Sequence, residues 1–594
     1  MSKIISLTIN NKKLKGKAGQ TILEVSKENG IDMPSLCYHS DLEASSSCRI
    51  CLVKIKGQSC PVTACSTGIT EGMDITTDTP EIRALRKTNL ELLFSQHKEE
   101  CPDCVYQFNC ELLRLAKEYG VEINRFKDRK TKFPAYQFGP ALIFDSSKCI
   151  DCRACVQMCE AQGVGYLKVK EKGHLFQVVP SAHKECVYCG QCLVHCPTGA
   201  FEGVGEFEDA EAVFKKAPAG KGASLVVQFA PSIRTSIGEE FGMKPGEVVT
   251  DKLVGALKKL GADYVFDVSV GADFTTTEEA GELVDKLNSG RRFTMFSSCC
   301  PAWVRFVELY YPEFIPNLTT ARPPHIILGG LIKTYFQRKE NLNPNSIKVV
   351  SIMPCVAKKY EITRKELKIN GLKPVDYVLT TRELAFLFKK HKIDLKKIKL
   401  KKADRPLGVP SGAGVIYGAS GGVMESALRT AWDIVNSIPA SPAEKEGIVK
   451  TGRPRLEFKQ VRGQQGIKTF TLKFGKRKMR FAAVNGLGKA KNVLGELKKN
   501  PKAYDCVEVM ACLGGCIGGG GQPMPTDRAT RQERADGLYK IDKKKKNRIA
   551  HQNPIVEKVY GEFLTNKKII KAICHTSYSP KKRVAPKIIK QKNV

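Results

Sequence analysis

Residues 186–197 read CVYCGQCLVHCP, and this stretch determines what kind of domain the middle of the chain can form. Its four cysteines follow the spacing C-x2-C-x2-C-x3-C, and Pro197 comes directly after the last of them. Three thiolates at this spacing hold three irons of one [4Fe-4S] cubane, while the fourth reaches a second cubane. The stretch therefore predicts a fold built around two iron–sulfur clusters that exchange one ligand each.

The second cubane requires another run of the same spacing, and one lies upstream at residues 149–159, followed by Glu160 instead of proline. With the crossover, the predicted ligands are Cys149, Cys152, Cys155 and Cys196 for one cubane, and Cys186, Cys189, Cys192 and Cys159 for the other. We expect residues 141–205 to form a domain that resembles two-cluster bacterial ferredoxins.

Residues 81–140 are mostly helical by pattern and contain a motif of one histidine and three cysteines. The spacing H-x3-C-x2-C-x5-C places the candidate ligands at His97, Cys101, Cys104 and Cys110. These side chains would also suffice for zinc, and His97 could instead lie on a helix surface. Beside the other cluster motifs we favour a [4Fe-4S] cluster, whose neutral imidazole ligand raises its potential.

Residues 1–80 open with strand-like alternation and a helix between Thr21 and Gly30. A C-x10-C-x2-C-x13-C spacing follows, at Cys37, Cys48, Cys51 and Cys65. Zinc is again chemically possible. The small, polar SSSCRIC segment favours a cluster loop, and the region resembles plant-type 2Fe-2S ferredoxins with a longer first loop, which implies a β-grasp domain. Cys60 is either a spare thiol or a competitor of Cys65 for the fourth ligand position.

The composition excludes several classes of protein. No apolar run in the 594 residues reaches the roughly 18 needed to span a membrane, and the N-terminus lacks the apolar core of a signal peptide, so we expect a cytoplasmic protein. In a reducing compartment, 23 clustered cysteines indicate metal rather than disulfides. The net charge of +35 suits either solubility or an acidic partner. Nucleic acid is not expected, because the lysine runs lack interleaved aromatic residues.

From residue 206 to about 576 the pattern becomes α/β, with apolar strands that end in unusual residues. Three segments concentrate them: SSCCPAW (297–303), MPCVAKKYE (353–361) and EVMACLGGCIGGGGQP (508–523). Loops at strand ends are where α/β folds build their active sites. We expect residues 577–594, which are rich in lysine and proline, to be disordered.

These three segments resemble the signature motifs of iron–iron (FeFe) hydrogenases, in the same order, and the whole chain is similar to the multi-cluster clostridial type. The resemblance implies a two-lobed catalytic domain with an H-cluster, whose cubane would be bound by Cys300, Cys355, Cys512 and Cys516. Cys516 would also bridge to a two-iron subsite that carries CO, cyanide and a bridging dithiolate amine. The residues implied to surround the subsite are Lys358 and Ser232 on the cyanides, the backbone at Ala230 and Pro231, and Met353 and Met510 as packing.

The resemblance also implies a proton route. Cys299 would be the terminal donor, with Glu279, Thr319 and Glu282 behind it. The spacing alone allows a simpler account, in which Thr276 and Glu279 form a helix capping box and Glu282 is a surface carboxylate. Thr319 stands where the clostridial enzymes have serine, and Lys286 stands where they have arginine as a surface cation.

Three functions are consistent with these features. The first is a hydrogenase that exchanges electrons with ferredoxin. The second is the catalytic subunit of an NAD(P)-linked, electron-bifurcating hydrogenase, which His325 and its flanks resemble. Flavin and nicotinamide would then lie on partner subunits, because no G-x-G-x-x-G fingerprint follows a strand here. The third is an iron–sulfur assembly or sensory protein. Either hydrogenase would need maturation proteins for the two-iron subsite.

Overall fold

The computed structural model describes residues 3–99, 101, 104, 106, 108–128, 133–172, 175–205, 207–215, 224–290, 294–437, 456–464, 466–474 and 477–589. Within these ranges, no helix has the length and apolar character that a membrane span requires.

The N-terminal region has the predicted β-grasp fold. It consists of β1 (Ile4–Ile9), β2 (Lys12–Lys17), α1 (Ile22–Glu28), β3 (Leu52–Ile55), β4 (Val62–Thr63) and β5 (Asp74–Thr76). The sheet order is β2-β1-β5-β3-β4, with β1 and β5 parallel. Helix α1 begins where predicted, because Thr21 and Glu24 form a reciprocal capping box at its N-terminus.

The middle of the chain is divided between helices and short strands. The elements are α2 (Pro80–Phe94), α3 (Glu111–Glu118), β6 (Ala135–Phe138), β7 (Leu142–Asp145), α4 (Ala154–Ala161), β8 (Leu167–Lys172), β9 (Leu175–Pro180), α5 (Gln191–Val194) and β10 (Phe201–Gly203). Each run of four cysteines enters a helix, α4 or α5, through a residue with positive φ. These residues are Arg153 (φ 62°) and Gly190 (φ 70°), so the two runs share one local conformation.

The C-terminal region has two lobes, as expected. Its elements are α6 (Phe207–Lys215), β11 (Ser224–Phe229), α7 (Thr250–Leu260), β12 (Tyr264–Asp267), α8 (Val268–Asn288), β13 (Met295–Phe296), α9 (Pro301–Tyr310), α10 (Pro324–Leu331), α11 (Gln337–Lys339), β14 (Ile347–Met353), α12 (Ala357–Glu361), β15 (Tyr377–Thr380), α13 (Thr381–Lys390), α14 (Gly412–Val415), α15 (Gly422–Ser437), β16 (Ile467–Phe474), β17 (Arg477–Asn485), α16 (Leu487–Lys499), β18 (Cys506–Met510), α17 (Arg528–Lys544), α18 (Pro554–Glu562), α19 (Lys567–Cys574) and β19 (Lys587–Ile589). One sheet is β12-β11-β14-β15, all parallel, and the other is β13-β18-β17-β16, in which only β16 is antiparallel.

The ferredoxin-like region and the second lobe share one hydrophobic core. Leu193 and Phe201 on one side pack in the same cluster as Trp303, Val356 and Val507 on the other. A shared core means that residues 141–205 are not a freely separable module, although their cysteine pattern suggests one.

The prediction of disorder for residues 577–594 is wrong as far as residue 589. Strand β19 pairs antiparallel with β6 and extends the four-stranded sheet β10-β7-β6-β19. Upstream of it, the Val584 N–H donates to Glu185 Oε2 (2.9 Å), and the Arg364 guanidinium lies over the Tyr578 ring. A lysine-rich composition predicts a solvated segment. The open edge of β6, however, forms hydrogen bonds with the backbone of β19, and these do not depend on the side chains of β19. Residues 590–594 lie outside the described part of the chain.

Candidate functional site

The three unusual segments meet because the strands before them are parallel and end at the same side of the two sheets. SSCCPAW follows β13, MPCVAKKYE follows β14, and the ACLGGC stretch follows β18. Parallel strands place the loops at their carboxyl ends together. The loop after β18 needs glycine at 515, where φ is 92° and a Cβ would lie 2.5 Å from the Ser420 nitrogen.

A cavity of about 80 Å³ lies between these loops. The residues implied to bind the cofactor all line it: Ala230, Pro231, Ser232, Cys299, Cys300, His325, Met353, Cys355, Lys358, Met510, Cys512 and Cys516. Burial raises the pKa of Cys355, to about 12, and of Cys512, and the neighbouring thiols raise both pKa values further. Buried thiols this close together ionise readily only when a bound metal neutralises the thiolates. This group of cysteines is therefore suited to a metal centre.

Lys358 is a buried cation at one wall of the cavity. Its Nζ donates to the Cys299 carbonyl (3.1 Å) and to Glu361 Oε2 (2.8 Å). Burial opposes the charge, but the Glu361 carboxylate outweighs it, so the pKa of Lys358 is raised. An ammonium has three N–H groups, and two contacts leave one for a ligand in the cavity.

His325 lies beside this ion pair. Its Nε2 hydrogen-bonds to Glu361 Oε2, the oxygen that Lys358 also contacts, and its Nδ1 is 3.3 Å from Ser351 Oγ. Burial lowers the pKa of His325, and the Lys358 charge lowers it further. A neutral imidazole therefore completes a polar chain with Lys358 and Glu361.

The donor set fits an anionic, metal-containing group. The Ser232 hydroxyl is buried and has no hydrogen-bond partner among the described residues, as expected of a side chain that serves a ligand. Met353 and Met510 supply soft, polarizable walls. Gly519 lies so close to Pro354 that a Cβ at position 519 would be 2.2 Å from the Pro354 carbonyl oxygen. A larger residue at this position would therefore clash.

Two consecutive threonines hold the two glutamates of the expected proton route. Thr319 Oγ1 donates to Glu279 Oε1 (3.1 Å), and Thr320 Oγ1 donates to Glu282 Oε1 (2.6 Å). Burial raises the pKa of Glu279 to about 8 and outweighs the hydrogen bond from Thr319. Burial, followed by the proximity of Glu279, raises the pKa of Cys299, so both groups hold protons at neutral pH.

The capping-box account of Glu279 is wrong. Helix α8 begins at Val268 with Asp267 as its N-cap, so Thr276 lies in the middle of the helix. The Thr276 hydroxyl instead contacts Tyr417 Oη (2.7 Å). Helix α8 thus starts two turns earlier than the threonine-rich sequence suggests, and Glu279 is free to face the cavity side.

Lys286 is not the surface cation that the resemblance implied. It is 4% exposed, and its Nζ donates to the Asp505 carbonyl. The group that contacts the outer end of the route is His575, whose Nδ1 is 2.8 Å from Thr320 Oγ1. Thr320, Glu361 and His575 were not predicted from the sequence. Thr320 and His575 meet across 255 residues, and Glu361 contacts the distant His325 as well as Lys358, three residues before it.

In the two-cubane region, the structure brings together the predicted ligand sets. Burial raises the pKa of Cys152, and Cys196 and Cys149 are the thiols that raise it further. Cys192 is affected in the same way by Cys189, Cys186 and Cys159. The fourth cysteine of each run therefore lies with the first three of the other run.

Backbone N–H groups point at the sulfurs in both runs. The Asp151 and Tyr188 N–H groups donate to Cys149 Sγ and Cys186 Sγ, each at 3.4 Å, from residues with positive φ. Such hydrogen bonds stabilise cluster thiolates and tune their potentials.

The four cysteines of the N-terminal region also converge. Hydrogen bonds from Cys48 and Cys65 lower the pKa of the Cys37 thiol, and a hydrogen bond from Cys65 lowers that of Cys51. Cys60 is exposed and contacts only the adjacent Ser59 hydroxyl among the described side chains. Cys65, rather than Cys60, completes the set.

The His97 ring is oriented for metal binding. Its Nδ1 is 2.8 Å from the Lys148 carbonyl, which can only accept, so Nδ1 carries a proton and Nε2 is the nitrogen that could bind a metal. Burial and then the Glu202 carboxylate raise the pKa of Cys104 to about 12, and Cys110 also contributes. Cys104 Sγ would lie 3.2 Å from a Cβ at Gly199, so this set borders the two-cubane region.

The cysteine sets are arranged in series. Cys37 of the N-terminal set contributes to the raised pKa of Cys152, after burial and the nearer thiols. At the other end, Cys512 Sγ is 3.9 Å from the Cys189 carbonyl oxygen. The set around Cys189 therefore adjoins the cavity, while the N-terminal set adjoins the cysteine set around Cys152.

The N-terminal region is tied to the catalytic lobe by one buried ion pair. Arg531 binds both carboxylate oxygens of Asp41, at 2.6 and 2.8 Å. The imidazoles of His39 and His195 lie beside it, with ring centroids 4.1 Å apart. This contact joins residues that are nearly 500 positions apart in the chain.

Protein-family models match almost the whole chain. They are described as "2Fe-2S iron-sulfur cluster binding domain" (residues 2–80), "NADH-ubiquinone oxidoreductase-G iron-sulfur binding region" (86–125), "4Fe-4S dicluster domain" (148–200), "Iron only hydrogenase large subunit, C-terminal domain" (223–520) and "Iron hydrogenase small subunit" (528–581).

Individual relatives agree with these matches. The chain is 36% identical to the NADP-reducing hydrogenase subunit HndD of Solidesulfovibrio fructosivorans, over 98% of this chain and 100% of that one. It is also 36% identical to iron hydrogenase 1 of Clostridium pasteurianum, over 94% and 96%. Among solved structures, an apo variant of the FeFe hydrogenase HydA1 of Chlamydomonas reinhardtii is 34% identical with a TM-score of 0.55, covering 63% of this chain and 98% of that one. The chain therefore belongs to the FeFe hydrogenase family, and it is an iron–sulfur hydrogenase with an H-cluster domain.

Proposed function

We propose that this hydrogenase reversibly reduces protons to hydrogen at an H-cluster bound by Cys300, Cys355, Cys512 and Cys516. The observation that carries the proposal is the cavity in which these four buried thiols meet the Lys358 ammonium and the unpartnered Ser232 hydroxyl. From the resemblance to FeFe hydrogenases, we propose that Cys516 would also hold a two-iron subsite with CO, cyanide and a dithiolate amine. When bound, that group supplies the redox chemistry, while the chain supplies orientation, hydrogen bonds and protons.

We propose the following roles for residues around the subsite. The free N–H of Lys358 would donate to one cyanide, because a buried ammonium forms strong, charge-assisted hydrogen bonds with anions. The Ser232 hydroxyl, with the backbone at Ala230 and Pro231, would bind the other. Met353 and Met510 would exclude water from the subsite, and His325 would hold Glu361 in place against Lys358.

Protons would move between solvent and the cavity through Glu282, Thr319, Glu279 and Cys299. The hydrogen bond from Thr319 to Glu279 supports the inner part of this route. Glu279, with a pKa raised to about 8 by burial, can both hold and release a proton near neutral pH. Cys299, protonated and facing the cavity, would be the last donor.

Electrons would pass through one [2Fe-2S] cluster and three accessory [4Fe-4S] clusters. The proposed ligands are Cys37, Cys48, Cys51 and Cys65; His97, Cys101, Cys104 and Cys110; and the two crossed cubane sets of residues 149–196. The contact between Cys512 and Cys189 supports the last transfer into the H-cluster. We keep the predicted boundaries at residues 80, 140 and 205 as a proposed division, and we propose a cytoplasmic location.

The electron partner distinguishes two versions of this proposal. Ferredoxin is the simpler partner, and the net charge of +35 favours an acidic protein. The alternative is a bifurcating complex with flavin- and NAD(P)-binding subunits, which the end-to-end similarity to an NADP-reducing hydrogenase subunit favours. Purification from the native host would distinguish them, because only the complex brings a flavin-containing subunit with the hydrogenase. Maturation proteins would be needed in either case.

The test of the catalytic proposal is Cys299→Ser. A serine hydroxyl holds its proton much more tightly than a thiol, so we expect hydrogen production to fall at least a hundredfold. Iron content and the infrared bands of CO and cyanide should remain as in the unmodified enzyme. Near-normal hydrogen production by a fully loaded Cys299→Ser enzyme would contradict the proton-donor role.

A further inference from the structure

The outer end of the proposed proton route contacts a histidine that the route does not yet include. Glu282 accepts two hydrogen bonds from Thr320, one from its N–H (3.0 Å) and one from its hydroxyl (2.6 Å). On the other side of that hydroxyl, His575 Nδ1 is 2.8 Å away. Carboxylate, hydroxyl and imidazole thus form an unbroken chain of proton-carrying atoms.

His575 lies at the solvent-facing end of the route. The side chains of His575 and Glu282 are 21% and 26% exposed, whereas Glu279 is 2% exposed. His575 also borders an open cavity of about 370 Å³ that is lined by Thr320, Lys567, Ile570, Lys571 and Thr576. Lys286 does not lie at this end, because it is 4% exposed and its Nζ donates to the Asp505 carbonyl.

The groups around the ring are suited to a side chain that changes protonation. Glu278 Oε2 lies 2.9 Å from His575 Nε2, and Tyr560 donates to the other oxygen of Glu278. The remaining charged groups that face His575 are Glu282 on α8, Lys567 and Lys571 on α19, and Arg322, whose Nε donates to the His575 carbonyl. One ring nitrogen therefore faces the route and the other faces a carboxylate.

We propose that His575 is the solvent-side proton relay of this hydrogenase and loads Glu282 through the Thr320 hydroxyl. In one step, protonated His575 gives its Nδ1 proton to Thr320 Oγ1, while Thr320 gives its own proton to Glu282 Oε1. The products are neutral His575, an unchanged Thr320 hydroxyl and a protonated Glu282. Water in the adjoining cavity then protonates His575 again, and hydrogen oxidation runs the same steps in reverse.

Histidine is the side chain best suited to carry protons near neutral pH, and the geometry requires no movement of the backbone. The inference rests on the proposed function, because it extends the route that ends at Glu282. His575 touches neither the substrate nor the cofactor, so it acts through Glu282 and Thr320. A purely structural role would instead be limited to holding α19 against α8.

The experiment uses the loaded enzyme with methyl viologen as electron carrier, so that the physiological partner does not matter. We expect His575→Ala to lower hydrogen production and oxidation about tenfold between pH 6 and 8. This is less than the roughly hundredfold or more that a lost acid–base group costs, because water gives partial compensation. Imidazole added to the buffer should restore most of the rate, because it can enter the cavity left by the side chain. His391→Ala is the matched control, since His391 also caps a helix and contacts a glutamate, Glu211, at 3.0 Å.

The outcomes separate relay from structure and from the catalytic proposal. Rescue of His575→Ala by imidazole, with no effect on the control, supports the relay. A rate within twofold of the unmodified enzyme, or a loss that imidazole does not restore in a fully loaded enzyme, overturns it. If His575→Ala does not fold, His575→Gln supplies an amide that can form hydrogen bonds but cannot relay a proton, and it should show the same tenfold loss. If Cys299→Ser is also fully active, the proposed route itself is at fault rather than its outer end.

Discussion

The proposed role of Glu279 in proton transfer can be tested directly, because burial changes both its protonation and the pH dependence of stability. Its side chain is 2% exposed, and burial raises its pKa from 4.5 to about 8. We predict that Glu279→Gln lowers hydrogen turnover at least a hundredfold, because glutamine keeps the contact with Thr319 but cannot pass a proton.

The same substitution should change stability in a way that depends on pH. A carboxyl whose pKa is raised in the folded protein favours folding most below its unfolded pKa. That advantage is lost as pH rises towards the folded pKa, here about 8. Between pH 5 and pH 9, the free energy of unfolding of the unmodified enzyme should fall by on the order of 4 kcal/mol relative to Glu279→Gln, because the buried carboxyl must either keep its proton or ionise in the interior. Glu279→Gln should therefore gain thermal stability, relative to the unmodified enzyme, as pH is raised.

Two measurements check this reasoning. Infrared difference spectra between pH 7 and pH 9 should contain a carboxylic-acid C=O band that Glu279→Gln lacks. Thermal unfolding at pH 5 and pH 9 should show the stability difference growing with pH, while Asp285→Asn, exposed on the same helix, should show no such trend. A missing band together with a pH-independent stability difference would mean that Glu279 is ionised, and the proposed role would fail.

Two further predictions follow from contacts outside the catalytic cavity. His97→Cys should lower the potential of its cluster, because a thiolate adds negative charge where a neutral imidazole had been; a redox titration followed by electron paramagnetic resonance measures the shift, and an unchanged potential would remove His97 from the ligand set. Arg531→Ala should release the N-terminal region, because it removes the guanidinium that binds both oxygens of the buried Asp41 carboxylate, at a cost of about 3 kcal/mol. Limited proteolysis would then remove residues 1–80 faster than in the unmodified enzyme, and equal rates would show that this ion pair does not hold the region in place.

Much of the fold and cofactor content could be predicted from the sequence, because cluster ligation is a local property. The spacing of Cys149 to Cys159 and of Cys186 to Cys196 is set by how closely a chain must turn to hold three irons. The same holds for the Gly514–Gly515 pair, whose positive φ angles only glycine adopts easily. The β-grasp region and the two-lobed catalytic domain, which the resemblance to known families implied, were also confirmed.

Contacts between distant segments were decided only by the tertiary structure. The resemblance implied a surface cation at Lys286 and composition predicted disorder for residues 577–594, yet Lys286 is buried against the Asp505 carbonyl and β19 pairs with β6. The spacing of Thr276 and Glu279 suggested a cap, but an N-cap nine residues earlier, at Asp267, starts the helix.

His575 and Thr320 are 255 residues apart, and His325 and Glu361 are 36 apart. Sequence periodicity carries information only over a few turns of helix or strand. The cysteines of each proposed ligand set could therefore be predicted from the sequence. The proposed proton route could be traced only from how the lobes fold against each other, because burial and contact decide the charge of each side chain.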